Sequence, residues 1–223
     1  VCDNEFKIKT VKTGKPHLIG SDPDLRPKYQ GIDSVKYDVI VCPHCGYGAL
    51  SRFFSYMTTH QAKLIHDNIS VNFKGLAPTG DTYTYDDAIT RYKLALLNTV
   101  VKKAKVSERA YTCLKLAWLY RGKAENLKPD EADYAKKKEE CAKAEKEMLA
   151  NAYEGFMMSV SKENFPICGM DETTLDYLMA NLAKQIGRID EASRIVSRIL
   201  VSKTANPKIK DKARDLKELL KTK

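Results

Sequence analysis

The hydrophobic pattern changes its period near residue 50. Before that point Phe6-Lys7-Ile8-Lys9 alternates apolar with polar, and Tyr37-Asp38-Val39-Ile40-Val41 is β-branched and runs into Cys42, so both stretches are expected to be short strands. Between them Gly14, Pro16, Gly20, Pro23, Pro27 and Gly31 interrupt the chain too often for a helix. Residues 1–49 therefore predict a small, loop-rich, β-containing module.

From Leu50 onward apolar residues recur at helical spacing, first over about 50–70 and then, after a loop through Gly75, Pro78 and Gly80, in one helix after another. Thr84 with Asp86 and Asp87 offers a cap hydroxyl and first-turn acids to a helix carrying Ala88, Ile89, Tyr92, Ala95 and Leu96 on one face. Ser107 is expected to cap a helix over 108–122 that carries Cys113, Leu114, Ala117, Trp118 and Tyr120, with Gly122 as its left-handed terminator. Pro129-Asp130-Glu131 is expected to open a long helix. Its Lys/Glu-rich first half faces solvent, while Leu149, Ala152, Tyr153, Phe156 and Val160 give the second half a core-facing stripe. Asp171 caps a helix to about Ile186, Gly187 turns the chain, Asp190-Glu191-Ala192 opens another to about Val201, and Asn206-Pro207 starts a basic last helix. The fold class is mainly α, with residues 50–223 as an array of helical hairpins behind the small N-terminal module.

Composition narrows the setting. At 223 residues and 43% apolar content, the chain can bury a real core without covalent staples. It has no run of the ~18 apolar residues that a membrane span requires, and residues 1–30 lack the apolar core of a signal peptide. A cytoplasmic protein is expected, or a fragment whose leader has been removed. The net charge of +9 lies mostly at the two ends, and residues 201–223 hold eight Lys/Arg against three Asp/Glu. Such a tail attracts nucleic acid, an anionic membrane surface or an acidic protein face, although it is more often the solvated side of a helix.

Six cysteines bear on chemistry. Cys42-Pro43-His44-Cys45-Gly46 has the form of a zinc knuckle, because two thiolates two residues apart grip one ion and the glycine allows the tight turn beneath them. A knuckle is half a site, and Cys2, leading into the expected first strand, is the natural third ligand. A closed four-ligand site has no position for water, so the zinc expected here is structural. His17 and His44 are candidates for the fourth ligand. Cys113, Cys141 and Cys168 have no Cys or His neighbour in sequence and are expected to be ordinary helix or loop thiols. His60 and His66 are six residues apart and fall on different helix faces, and no phosphate-loop, nucleophile-elbow or metalloprotease motif occurs, so no enzymatic activity is expected.

Residues 177–207 resemble a tetratricopeptide repeat, with Ala180, Ala183, Gly187, Ala192 and Val196 at the small-residue positions that let two antiparallel helices approach. Ala110 to Tyr120 is similar to another first helix of such a repeat, and Ala88, Tyr92 and Ala95 to a second helix. The stretches Leu114 to Arg121, Thr204 to Asp215 and Val41 to Tyr47 make the chain resemble the bacterial domain-of-unknown-function family 2225 over nearly its whole length. That family opens this region with Cys-Pro-x-Cys. The resemblance thus implies that Cys2 is the second cysteine of a pair, in a zinc-ribbon-like module over 1–49 whose first ligand lies upstream of Val1. It implies a fold and a metal site but no activity.

The function expected is a non-catalytic scaffold or adaptor that binds a protein or peptide through its helical repeats. Trp118 and Tyr120 are candidates for a concave binding groove, although aromatics at helical spacing are more often core. The alternative is nucleic-acid binding through the zinc module and the last helix, using Lys208, Lys210, Lys212 and Arg214. A third reading makes Cys42 and Cys45 a redox pair, which would require a thiol of depressed pKa.

Overall fold

The computed structural model describes residues 1–12 and 14–221. Two antiparallel hairpins come first, β1 (His17–Ser21) with β2 (Pro27–Gln30), and β3 (Val39–Val41) with β4 (Gly48–Leu50), separated by a 3-10 turn at Ser34–Tyr37. The strand expected at Phe6–Lys9 does not form. Phe6 sets its ring edge-on to Phe54 at 6.2 Å, and Lys9 Nζ donates to Thr79 Oγ1 at 2.8 Å, so the alternation there belongs to a loop lying on its neighbours. The first hairpin forms where glycines and prolines suggested only loop. All of β1 is exposed, so no apolar alternation marks it; its register shifts between Leu18 and Gly20, and Pro27 stands at the end of the ladder, where its missing N–H costs least.

The helices are α1 (Ser51–Phe54), α2 (Thr59–Asn68), α3 (Tyr85–Val101), α4 (Val106–Glu125), α5 (Tyr134–Lys162), α6 (Glu172–Gln185), α7 (Ile189–Val201) and α8 (Pro207–Lys221). One helix expected over 50–70 is thus two. Thr58 Oγ1 accepts from the Gln61 amide at 3.2 Å while Gln61 Oε1 accepts from the Thr58 amide at 3.1 Å, and this reciprocal box starts a new helix after the break. Thr84 and Asp87 make the same box at α3, and the Asp171 carboxylate accepts the Thr174 amide at 2.7 Å to begin α6.

Three boundaries differ from expectation for identifiable reasons. Ser107 lies inside α4, and its amide and hydroxyl donate to the Glu163 carboxylate at 2.9 and 2.6 Å, so a residue beyond α5 satisfies this helix start. Gly122 also lies inside α4. A Cβ there would fall 2.6 Å from the Tyr85 ring, so the glycine permits close approach and terminates nothing. The long helix starts at Tyr134 behind Asp133, whose φ of 59° is left-handed, and its Val160 faces solvent away from the buried Leu149, Ala152, Tyr153 and Phe156.

From α3 to α8 each helix packs on its neighbour in sequence, and α8 also reaches α6. Val35, Val39 and Leu50 join the apolar cluster built by these helices, because β3 and β4 lie on α3. The expected module boundary at 49/50 therefore falls within β4. A second, smaller cluster contains Cys42, Cys45, Tyr47, Ala49, Ile65 and Ile69. No described helix is long and apolar enough to cross a membrane.

The α4–α5 crossing is close because Gly155 faces Ala110: a Cβ on Gly155 would lie 2.7 Å from Ala110 Cβ and 3.3 Å from its Cα. In an open helix Gly→Ala gains ~1 kcal/mol of propensity. Here the helices must separate, at a cost of ~1–3 kcal/mol. Gly155→Ala should therefore lower stability in a urea titration, and a rise in stability would show that the crossing is loose.

Candidate metal centre

β3 delivers the chain directly into the knuckle. The Cys42 amide donates to Tyr47 O at 2.8 Å and the Gly46 amide to Cys42 O at 3.0 Å, closing a turn between β3 and β4. Gly46 has φ of 72°, and a Cβ on it would meet the Phe73 ring at 2.7 Å, so this position requires glycine twice over. The turn is held from outside by Asn98, whose Nδ2 donates to Gly46 O at 3.1 Å and to Leu94 O at 2.9 Å. Tyr47 donates its hydroxyl to Phe54 O at 2.8 Å and lies 4.8 Å from the Phe54 ring, on which Phe6 also rests. Phe6 thereby brings the N-terminal segment, and with it Cys2, over the knuckle.

The result is a three-sulfur cluster. Cys2, Cys42 and Cys45 place their sulfurs within 4.8 Å of one another, and Cys2 Sγ is 3.7 Å from Cys42 Sγ. Cys42 and Cys45 are buried and Cys2 is half-buried, beside a cavity of about 240 Å³ lined by Val1, Phe6, Tyr47 and Met57. A disulfide would bring two sulfurs to ~2.05 Å. Tetrahedral bonds of ~2.3 Å to one ion set them roughly 3.8 Å apart, which is the separation seen for Cys2 and Cys42. Three soft donors at this spacing are able to hold a metal ion.

Protonation in the cluster is uneven. Burial, the dominant influence, pushes Cys45 up to about 12, with the neighbouring thiols adding to the rise. At Cys2 burial acts upward too, but hydrogen bonds from Asn4 and from the other two thiols outweigh it and bring the group down to about 7. The other cysteines behave differently. Burial raises Cys113 and Cys168 to about 11 and also raises Cys141, as expected of protonated packing residues.

The chain matches the model of a family described as an uncharacterized protein conserved in bacteria (DUF2225), over residues 1–220. It belongs to this family. No curated protein and no solved structure matches it. Among the candidate residues of this DUF2225 member, Cys2, Cys42 and Cys45 converge, while His17 in β1 and His44 in the knuckle are exposed. Trp118 is a correction. Only 4% of it is exposed, and its Nε1 donates to Asp24 at 3.3 Å, so it belongs to the core and to no surface groove. Tyr120 is half-buried. Lys208, Lys212 and Arg214 are exposed on α8 and Lys210 is half-buried, but Arg214 pairs with Asp211, and Lys212 lies 5.8 Å over the Tyr177 ring.

Two buried ionic groups escape a reading by motif. Lys102, at the end of α3, is 1% exposed; it pairs with Glu108 at 2.7 Å and lies 5.6 Å over the Tyr47 ring, tying the knuckle to α4. The second is centred on Asp24, which is 0% exposed in the turn between β1 and β2. It accepts from Arg121 Nη1 at 3.1 Å and Nη2 at 2.7 Å, from Trp118, and from Gln185 Nε2 at 3.3 Å. Arg121 also bonds Asp22 at 3.1 Å and Glu145 at 2.7 Å, so one guanidinium joins the first hairpin to α4, α5 and α6.

Proposed function

We propose that this chain is a non-catalytic scaffold in which a structural zinc ion, held by Cys2, Cys42, Cys45 and a fourth ligand, fixes the N-terminal segment against a tetratricopeptide-like helical array that binds a protein or peptide. The observation carrying the proposal is the convergence of the three sulfurs from positions forty residues apart, with Cys2 and Cys42 at 3.7 Å. Zinc would supply strong, directional bonds to thiolate at that spacing. The residues around the cluster do structural work: Asn98 holds the turn, Phe6 and Phe54 pin the arriving segment, and Tyr47 anchors to Phe54 O. Six cysteines with no disulfide among them suit a reducing, cytoplasmic setting.

Binding through the helices is supported by stacked α-elements whose seams are filled by small residues such as Ala180, Ala183 and Ala192, leaving the outer faces available. Nucleic-acid binding is supported by the exposed cations of α8, weakened by the pairing of Arg214 with Asp211 and of Lys221 with Glu218 on the same helix. Affinity capture of the tagged chain from native bacterial lysate, with and without nuclease, separates the two. Specific proteins should remain after nuclease treatment, whereas loss of all captured material on digestion would favour the nucleic-acid reading.

A further inference from the structure

Two adjoining cavities open where α1 meets the starts of α4 and the segment after α5, with volumes of about 640 and 710 Å³. Both lie in the ~300–1,000 Å³ range of ligand sites. They share Arg52, Phe53 and Lys105, so they read as one groove with a common wall. At one end are Lys162 and Pro166; at the other, Tyr56 and Met57, with Tyr56 77% exposed.

The charges along this groove are not balanced. Its two acids are turned to internal tasks: Glu163 binds the Ser107 amide and hydroxyl, and Glu108 pairs with the buried Lys102. Its cations, Arg52, Lys105 and Lys162, are exposed, and among the described residues none of them forms an ion pair. Arg52 is also held in place. Its guanidinium lies 5.6 Å from both the Phe53 and the Tyr111 ring centroids, and Nη1 donates to Cys168 O at 2.5 Å. Gly169 makes room for it, since a Cβ there would fall 2.9 Å from Nη2. A guanidinium preorganised in this way loses little freedom on meeting a carboxylate, and its planar fork suits a two-oxygen acceptor.

We infer that this groove is a docking site for an acidic, extended peptide segment, whose carboxylates meet Arg52, Lys105 and Lys162 and whose apolar side chain packs on Phe53, Tyr56 and Met57. The inference deepens the scaffold reading and rests on it. Charge complementarity selects the acidic partner, and the apolar Tyr56 end favours a peptide over a nucleic-acid backbone, which offers phosphate along its whole length.

Fluorescence polarisation tests this with a fluorescein-labelled decapeptide of alternating glutamate and leucine, its glutamine counterpart, and a fluorescein-labelled oligothymidylate of similar charge. The glutamate peptide should bind at least tenfold more tightly than the other two. Arg52→Ala and Lys162→Ala should each weaken it severalfold with an unchanged thermal melt, and Tyr56→Ala should weaken it without altering the salt dependence. No binding, equal binding of the oligothymidylate, or indifference to Arg52→Ala in a variant of native melting temperature would each overturn the groove. If nuclease-resistant protein capture persists under any of those results, the scaffold reading survives and only the site fails.

Discussion

Replacing Arg121 with methionine is expected to cost ~3–5 kcal/mol, because it leaves Asp24 buried without its cation. A chain of this size should then melt on the order of 10 °C lower. Methionine fills much the same volume, so the loss reports charge and hydrogen bonding more than packing. The pH dependence gives a second readout. Burial pushes Asp22 upward, but its hydrogen bonds from Lys28 and Arg121 prevail and hold its carboxyl below the ordinary value. A group depressed in the folded state stabilises above its unfolded pKa of ~3.9 and loses that contribution as pH falls through the folded value. The gap between wild type and Arg121→Met should therefore be widest at neutral pH and narrow below pH ~4. A neutral-pH loss under ~1 kcal/mol would mean that water replaces the guanidinium and that the hairpin is not clasped as described.

Cys45→Ser is expected to have the other large effect, confined to one end of the molecule. Removing one thiolate should abolish tight metal retention and release Cys2 and the segment behind it, exceeding the ~1 kcal/mol of an average substitution. Helices α3 to α8 build a separate apolar cluster, and among the described helices only α2 places a buried residue beside the cysteines, so far-UV circular dichroism should stay close to wild type. Hydrogen exchange should show the difference locally, with the Cys42 and Gly46 amides, bonded to Tyr47 O and Cys42 O, exchanging at least a hundredfold faster. Cys113→Ser, a change to a buried helix thiol, should leave those amides protected. Protection at Cys42 and Gly46 that survives Cys45→Ser would show that the turn needs no ion.

The helical part of this fold was legible because each signal is local. Thr84 and Asp171 cap by their own side chains, and Gly187 turns the chain with φ of 89°. Expectation and structure part where the deciding partner is remote. Ser107 resembles a cap, but its hydroxyl answers to Glu163, fifty-six residues away; Gly122 resembles a stop, but its neighbour is the Tyr85 ring. β1 was invisible because a strand exposed on every residue has no apolar alternation to display. At the candidate site the knuckle is readable from the spacing of Cys42 and Cys45, whereas Cys2 rests on the family resemblance, since the strand expected after it does not form. Lys102, Glu108, Asp24 and Arg121 are not, since an ion pair joining distant elements leaves no periodic trace, and what holds Trp118 inside is Asp24, ninety-four residues away.

Native mass spectrometry of the purified, reduced protein, followed by the same measurement under denaturing conditions, decides whether Cys2, Cys42 and Cys45 hold the proposed zinc ion. The native mass should exceed that of the chain by one zinc less the protons displaced, and denaturation should return the bare-chain mass with six free thiols. A metal-free native mass, or a chain two hydrogen atoms light because Cys42 resists reduction in a disulfide with Cys2 or Cys45, would rule the ion out.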